Sequence, residues 1–244
     1  MTAHRLQESG ALCGCHGRLL GRRELGRLGL ATLLAAPFVS RRAFAQERPA
    51  TPEAALKALM DGNKRFVAEQ SQPTACAVDL AELKQGTASG QAPFAAVLGC
   101  ADSRVPTELI FDQTIGDVFV ARVAGNIASA DIIASLEYGA AVLGTKTILV
   151  LAHSSCGAVE ATIKGKAVPG QISTLYRSIR PAVDRAGTDL AAAAKANAQI
   201  QAGLLRDASP LLGGMVKDGT LGIAAGYYEL ATGVVTLLDS DAHL

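Results

Sequence analysis

Along this chain, short apolar runs alternate with segments in which apolar residues return every three or four positions. Thr51-Pro52 has the form of an N-cap followed by proline at the first helical position. Leu56, Leu59, Phe66 and Val67 then return at helical steps, with Asn63 on the same face, which predicts an amphipathic helix to about residue 70. Residues 72–91 are polar with Gly and Ser, which predicts a loop with one helical turn near 79–84. Three short apolar runs, at 94–99, 118–123 and 146–152, have the continuous character of strands buried on both faces. Between the second and third, residues 131–143 predict a helix stopped by Gly144. Helices are predicted at 172–185 and 188–206, where the alanine run at 191–194 reflects helix propensity. A closing pair of strands, 220–230 and 234–238, turns at Ala231-Thr232-Gly233. Strands alternating with helices predict an α/β fold: a mainly parallel central sheet flanked by helices, with a C-terminal strand pair. No internal repeat or low-complexity tract interrupts this order.

The first 45 residues follow different rules. Gly21-Arg22-Arg23-Glu24-Leu25-Gly26-Arg27 is a twin-arginine pattern, followed by a modestly apolar stretch from Leu28 to Val39 and then Ala43-Phe44-Ala45, a small-x-small cleavage site. That apolar run is about 12 residues, short of the roughly 20 that cross a bilayer. The expectation is a twin-arginine signal peptide cleaved after Ala45, which sends an already folded chain to the periplasm or outside the cell. Residues 46–244 would then form a single domain with no membrane span.

Charge supports the division. The formal net charge of the whole chain is +1. Residues 1–45 hold seven Arg against Glu8 and Glu24, about +5, so the remainder is about −4. A mildly acidic domain without a basic stripe argues against nucleic acid as partner. Cys13 and Cys15 fall in the leader, leaving Cys76, Cys100 and Cys156. Three cysteines cannot all pair within one chain, so a disulfide scaffold is not expected.

The chemistry concentrates in two short motifs, Cys100-Ala101-Asp102-Ser103-Arg104 and His153-Ser154-Ser155-Cys156. Cys100, His153 and Cys156 offer two thiolates and an imidazole, a ligand set suited to zinc. Three protein ligands leave one tetrahedral position open, the mark of a catalytic rather than a structural site. Asp102 and Arg104 add an acid and a base that a structural zinc knot does not need. Cys100 and His153 also fall at the carboxyl ends of predicted strands, where open α/β sheets bind their ligands.

Cys-Ala-Asp-Ser-Arg-Val-Pro (100–106), Arg-Val-Ala-Gly-Asn (122–126) and His-Ser-Ser-Cys-Gly-Ala-Val (153–159) resemble the β-class carbonic anhydrases, over nearly all of residues 51–239. The resemblance implies one Zn2+ per chain held by Cys100, His153 and Cys156. It implies reversible hydration of CO2 to bicarbonate and a proton by a zinc-bound hydroxide, with Asp102 accepting a hydrogen bond from it and Arg104 holding Asp102. In the plant-type branch, the position of Gln91 contacts substrate, and those of Phe119 and Tyr138 line an apolar CO2 pocket across a dimer interface. A homodimer or a dimer of dimers is therefore expected. The bicarbonate-regulated branch carries Trp where this chain has Val97, which places the chain with the open-site type.

Three rival readings bear on the same residues. A carbonyl sulfide or carbon disulfide hydrolase on this scaffold would use the same zinc ligands. A non-catalytic zinc-binding homologue would be marked by loss of Asp102 or Arg104, and both are present. A thiol redox protein is disfavoured by the absence of a Cys-x-x-Cys.

Overall fold

The computed structural model describes residues 48–70 and 80–239. The leader, Cys76 and His243 lie outside the described residues, and all those described belong to one unit, Ala45–Leu244. In chain order the elements are α1 (Pro52–Val67), α2 (Leu80–Thr87), β1 (Ala95–Gly99), α3 (Thr107–Ile110), β2 (Val118–Arg122), α4 (Ala130–Glu137), a π-helical turn (Tyr138–Val142) and β3 (Thr147–His153). These are followed by α5 (Gly157–Lys164), α6 (Ser173–Ala186), α7 (Leu190–Ala208), α8 (Pro210–Lys217), β4 (Gly222–Tyr228) and β5 (Val235–Leu238). The five strands form one sheet in the order β2-β1-β3-β4-β5. The first four run parallel, and β5 returns antiparallel to β4. This is the expected architecture.

The pleat explains why β1 and β3 read as unbroken apolar runs. Successive side chains point to opposite faces, and both faces are covered. Ala96, Leu98, Ile148, Val150 and Ala152 pack into a core with Leu136, Ile179 and Leu205. Their neighbours Ala95, Val97, Leu149 and Leu151 pack into a second core with Leu59, Ile110, Phe111 and Val235. Among the described residues, no helix is long and apolar enough to cross a membrane.

Asn63 shows why a polar residue can occupy the buried face of α1. It is 3% exposed, donates to the carbonyls of Ile110 (3.1 Å) and Gly233 (2.8 Å), and accepts from the Val235 amide (2.9 Å). One side chain thus ties α1 to the end of α3 and to the β4–β5 turn. Thr51 caps α1 as expected, accepting from Ala54 N at 3.2 Å.

Several boundaries differ from expectation. The single turn near 79–84 is the two-turn α2. The helix expected at 131–143 is α-helical only to Glu137, and its last turn widens into a π-helix closed by Leu143 N–H donating to Tyr138 O. Gly139 sits there with a Cβ position 3.2 Å from the Phe119 ring, so this segment packs tightly against β2 and a side chain here would need that ring to shift slightly. Helix α8 was not expected, although Ser209-Pro210 repeats the cap-then-proline signal of α1 and Ser209 accepts from Leu212 N at 3.0 Å.

Replacing Asn63 with Ala strands two buried backbone groups, the Ile110 carbonyl and the Val235 amide, and the part-buried Gly233 carbonyl. The expected loss is about 3 kcal/mol of unfolding free energy in urea titrations. A loss below about 1 kcal/mol would show that these hydrogen bonds do not hold the three elements together.

Candidate metal centre

The parallel register delivers the site. β1 and β3 are neighbours with Gly99 beside Leu151, so Cys100 leaves the end of one strand close to where His153 ends the other. Cys156 follows as the N-cap residue of α5. The two sulfurs and a ring nitrogen lie within 4.8 Å of one another, and all three residues are buried. Ser155 makes the tight turn between them with φ +54, a left-handed conformation.

The donor set fits a metal. His153 Nδ1 lies 2.9 Å from the Ser154 carbonyl, which can only accept, so Nδ1 carries the proton and Nε2 presents its lone pair. Nε2 is fully buried with no hydrogen-bond partner, an arrangement that is costly unless something else binds it. A tetrahedral zinc with bonds of about 2.0–2.3 Å needs donors about 3.5 Å apart, which this spacing allows.

Electrostatics agree. The Cys100 thiol is held well below the usual thiol range, first by the adjacent Cys156 thiol and then, against burial, by the His153 ring and the Gly125 N–H. The Gly125 amide lies 3.3 Å from Cys100 Sγ. Cys156 is pushed in the opposite direction by the Cys100 thiolate and by burial. Burial acts to lower the His153 pKa, but the neighbouring thiolate outweighs it and the net direction is upward. The pair ionises once readily and a second time with great difficulty. A cation between the sulfurs is what would hold both as thiolates.

Asp102 stands at the rim. Arg104 grips it through Nε to Oδ1 (2.9 Å) and Nη2 to Oδ2 (2.7 Å), and the Arg104 amide adds a third bond to Oδ1 (2.9 Å). These hydrogen bonds hold the carboxyl well below the usual carboxylate range. Asp102 Oδ2 lies 3.9 Å from His153 Nε2, so the carboxylate faces the cluster without entering it. Arg104 Nη2 also reaches the Ser155 carbonyl (3.2 Å), which links the two motifs.

Gln91, Phe119 and Tyr138 are not gathered with this cluster in one chain. Gln91 is exposed and precedes the amino end of β1, opposite to Cys100. Phe119 and Tyr138 are neighbours, with ring centroids 6.4 Å apart, beside the edge strand β2. Tyr138 is 48% exposed.

Sequence reasoning missed the residues that brace the motifs. Arg122, at the end of β2, donates to the carbonyls of Cys100 (2.8 Å) and Asp102 (2.6 Å). Ser154 accepts from Leu230 N and donates to Glu229 (2.7 Å), which fastens the His153 turn to the end of β4. Gly125 has φ +74, and a Cβ there would come 2.6 Å from Ile179 Cδ1. Only its place in an Arg-x-Ala-Gly-Asn segment hinted at that demand.

Fold and site together define an α/β protein with a Cys–His–Cys group at the strand ends that could hold a metal ion. Residues 95–235 match the family model described as carbonic anhydrase, and the chain belongs to the β-class of that family. Carbonic anhydrase 2 of Mycobacterium tuberculosis is 43% identical over 136 residues, which cover 54% of this chain and 64% of that protein. The chain thus spans a little under two thirds of that relative's length. Among solved structures, the Coccomyxa β-carbonic anhydrase in complex with acetazolamide is 28% identical with a TM-score of 0.59, covering 75% of this chain and 86% of that one. The tetrameric β-carbonic anhydrases of Sordaria macrospora give 25% identity and a TM-score of 0.59, covering 72% of this chain and 97% of theirs.

Proposed function

We propose that this protein hydrates CO2 reversibly to bicarbonate and a proton, with one Zn2+ per chain held by Cys100, His153 and Cys156. The observation that carries the reading is the Asp102–Arg104 clamp beside the ligand cluster. When bound, zinc supplies a Lewis acid that makes water nucleophilic near neutral pH, less strongly with two thiolates than with three imidazoles. Asp102 accepts a hydrogen bond from the attacking water and turns a lone pair toward the carbon of CO2. Arg104 prevents the carboxylate from turning away and keeps it ionised, so Asp102 acts as an acceptor over the whole working range. Held by Arg104, the carboxylate is kept from acting as a further ligand, so a metal bound by Cys100, His153 and Cys156 would keep a position for water, as in the unregulated type. The proton leaves through solvent and buffer.

Stopped-flow CO2 hydration by the zinc-loaded 46–244 chain tests this. Asp102→Ala is expected to lower kcat/KM about 100-fold with zinc retained. The wild-type rate is expected to rise from about pH 6.5 to about pH 9, because the donor set weakens the acidity of the nucleophilic water. A flat profile would contradict the ligand assignment. A fully metallated wild-type protein inert toward CO2 would contradict the substrate, and carbonyl sulfide would be assayed next.

The same reading places Gln91, Phe119 and Tyr138 at the substrate pocket of a partner subunit, in a homodimer or a dimer of dimers. Support comes from the surface beside the edge strand β2, where Tyr138 is 48% and Val142 66% exposed. Introducing a charge with Val142→Glu is expected to give monomers in sedimentation experiments and to abolish most hydration. A monomeric variant with full activity would remove these residues from the pocket.

Residues 1–45 are proposed to export the folded, metallated protein by the twin-arginine route to the periplasm or beyond. The expected mature N-terminus is Gln46. Recovery of the uncleaved chain from the cytoplasm, equally with Arg22 and Arg23 intact or replaced by Lys, would overturn this.

A further inference from the structure

Behind the metal ligands lies a buried amide relay that the hydration chemistry does not itself use. Helix α7 presents Asn197 and Gln201 one turn apart on its inner face, 0% and 1% exposed. Both reach the loop between β2 and α4. Asn197 Nδ2 donates to the Gly125 carbonyl at 2.8 Å. Gln201 Oε1 accepts from the Ala128 amide at 2.8 Å. Gln201 Nε2 donates to Asn197 Oδ1 (3.2 Å) and to the Ser178 carbonyl (3.1 Å), so the two amides orient one another and are tied to α6. Every polar atom of the pair is used, as a buried network requires. The held loop is the one whose Gly125 N–H points at Cys100 Sγ.

We propose that Asn197 and Gln201 are positioning residues for the metal centre: by holding the Gly125 carbonyl and the Ala128 amide they hold the loop around Gly125 in place, keep its N–H aimed at the Cys100 sulfur, and so set how tightly that thiolate holds the metal. The inference rests on the metal-centre reading above. An N–H bonded to a ligand sulfur draws charge from it and fixes its direction, and partners one step beyond the ligands commonly change metal affinity by about 10–100-fold. Gly125 sits at φ +74, a conformation glycine leaves freely, in a turn closed by the Asn126 N–H donating to the Val123 carbonyl at 2.9 Å, with Ile179 and Ala158 close beside it. The restraint from outside the loop is the Asn197 amide, reaching across 72 residues of sequence.

The test uses the full 46–244 chain loaded with zinc, and separately with Co2+ as a spectroscopic probe. Asn197→Leu removes the donor at nearly constant volume. Zinc release to a chelator is expected to accelerate about tenfold, and the thiolate-to-cobalt charge-transfer band to shift or weaken. Ser209→Ala serves as the control. It removes another buried hydrogen-bonded side chain, one that donates to Glu137 and caps α8. It is expected to lower the melting temperature while leaving release rate and cobalt spectrum as in the wild type. If Asn197→Leu does not fold, Gln201→Met loosens Asn197 without touching Gly125, with an expected change of about threefold in the same direction. Wild-type release and an unchanged spectrum in a folded variant would overturn the proposal. A wild-type chain that takes up neither zinc nor cobalt would overturn the metal-centre reading itself, and this proposal with it.

Discussion

Two buried sulfurs that resist being ionised together are the constraint around which this molecule is organised. Cys100 gives up its proton easily chiefly because Cys156 keeps its own, with help from the His153 ring and the Gly125 N–H, and both sulfurs are buried. A buried imidazole nitrogen with no partner lies beside them. Such a cluster is unfavourable on its own terms. One divalent cation would reverse each penalty at once, pairing with both thiolates and using the free lone pair.

The parallel sheet makes the cluster possible at no cost to the core. β1, and β3 after its first residue Thr147, are apolar on both faces until the carboxyl ends of the strands, where the polar donors come. Bracing is then distributed around the loops. Arg122 holds the Cys100–Asp102 turn from β2, Ser154 and Glu229 hold the His153 turn from β4, and Asn197 and Gln201 hold the Gly125 loop from α7. Each brace comes from a different element. The geometry therefore depends on the whole sheet being in register, with few of the braces close to their targets in sequence.

That distribution explains what could be read from the chain beforehand. The buried strands were legible because continuous apolar runs between turn signals have few other uses, and the two ligand motifs because Cys and His at those spacings are chemically unusual. The spacing places Asn63 on the buried face of α1 but does not show what it binds, since its three partners lie 47 to 172 residues away. Asn197 and Gln201 looked like ordinary polar residues of an alanine-rich helix for the same reason. The π-helical turn after Glu137, where Gly139 packs close to the Phe119 ring, was not signalled by the helical spacing of its residues. Helix α8 did have one, in Ser209-Pro210. Gln91, Phe119 and Tyr138 lie apart from the ligand cluster within one chain, so the helical and strand patterns alone could not tie them to it.

Zinc K-edge X-ray absorption on the loaded 46–244 chain bears most directly on this account. The expected first shell is two sulfurs at about 2.3 Å with two nitrogen or oxygen neighbours at about 2.0–2.1 Å, one of them showing imidazole outer-shell scattering. A shell of four sulfurs, or one without sulfur, would contradict the central claim that Cys100, His153 and Cys156 share one metal with its fourth position open.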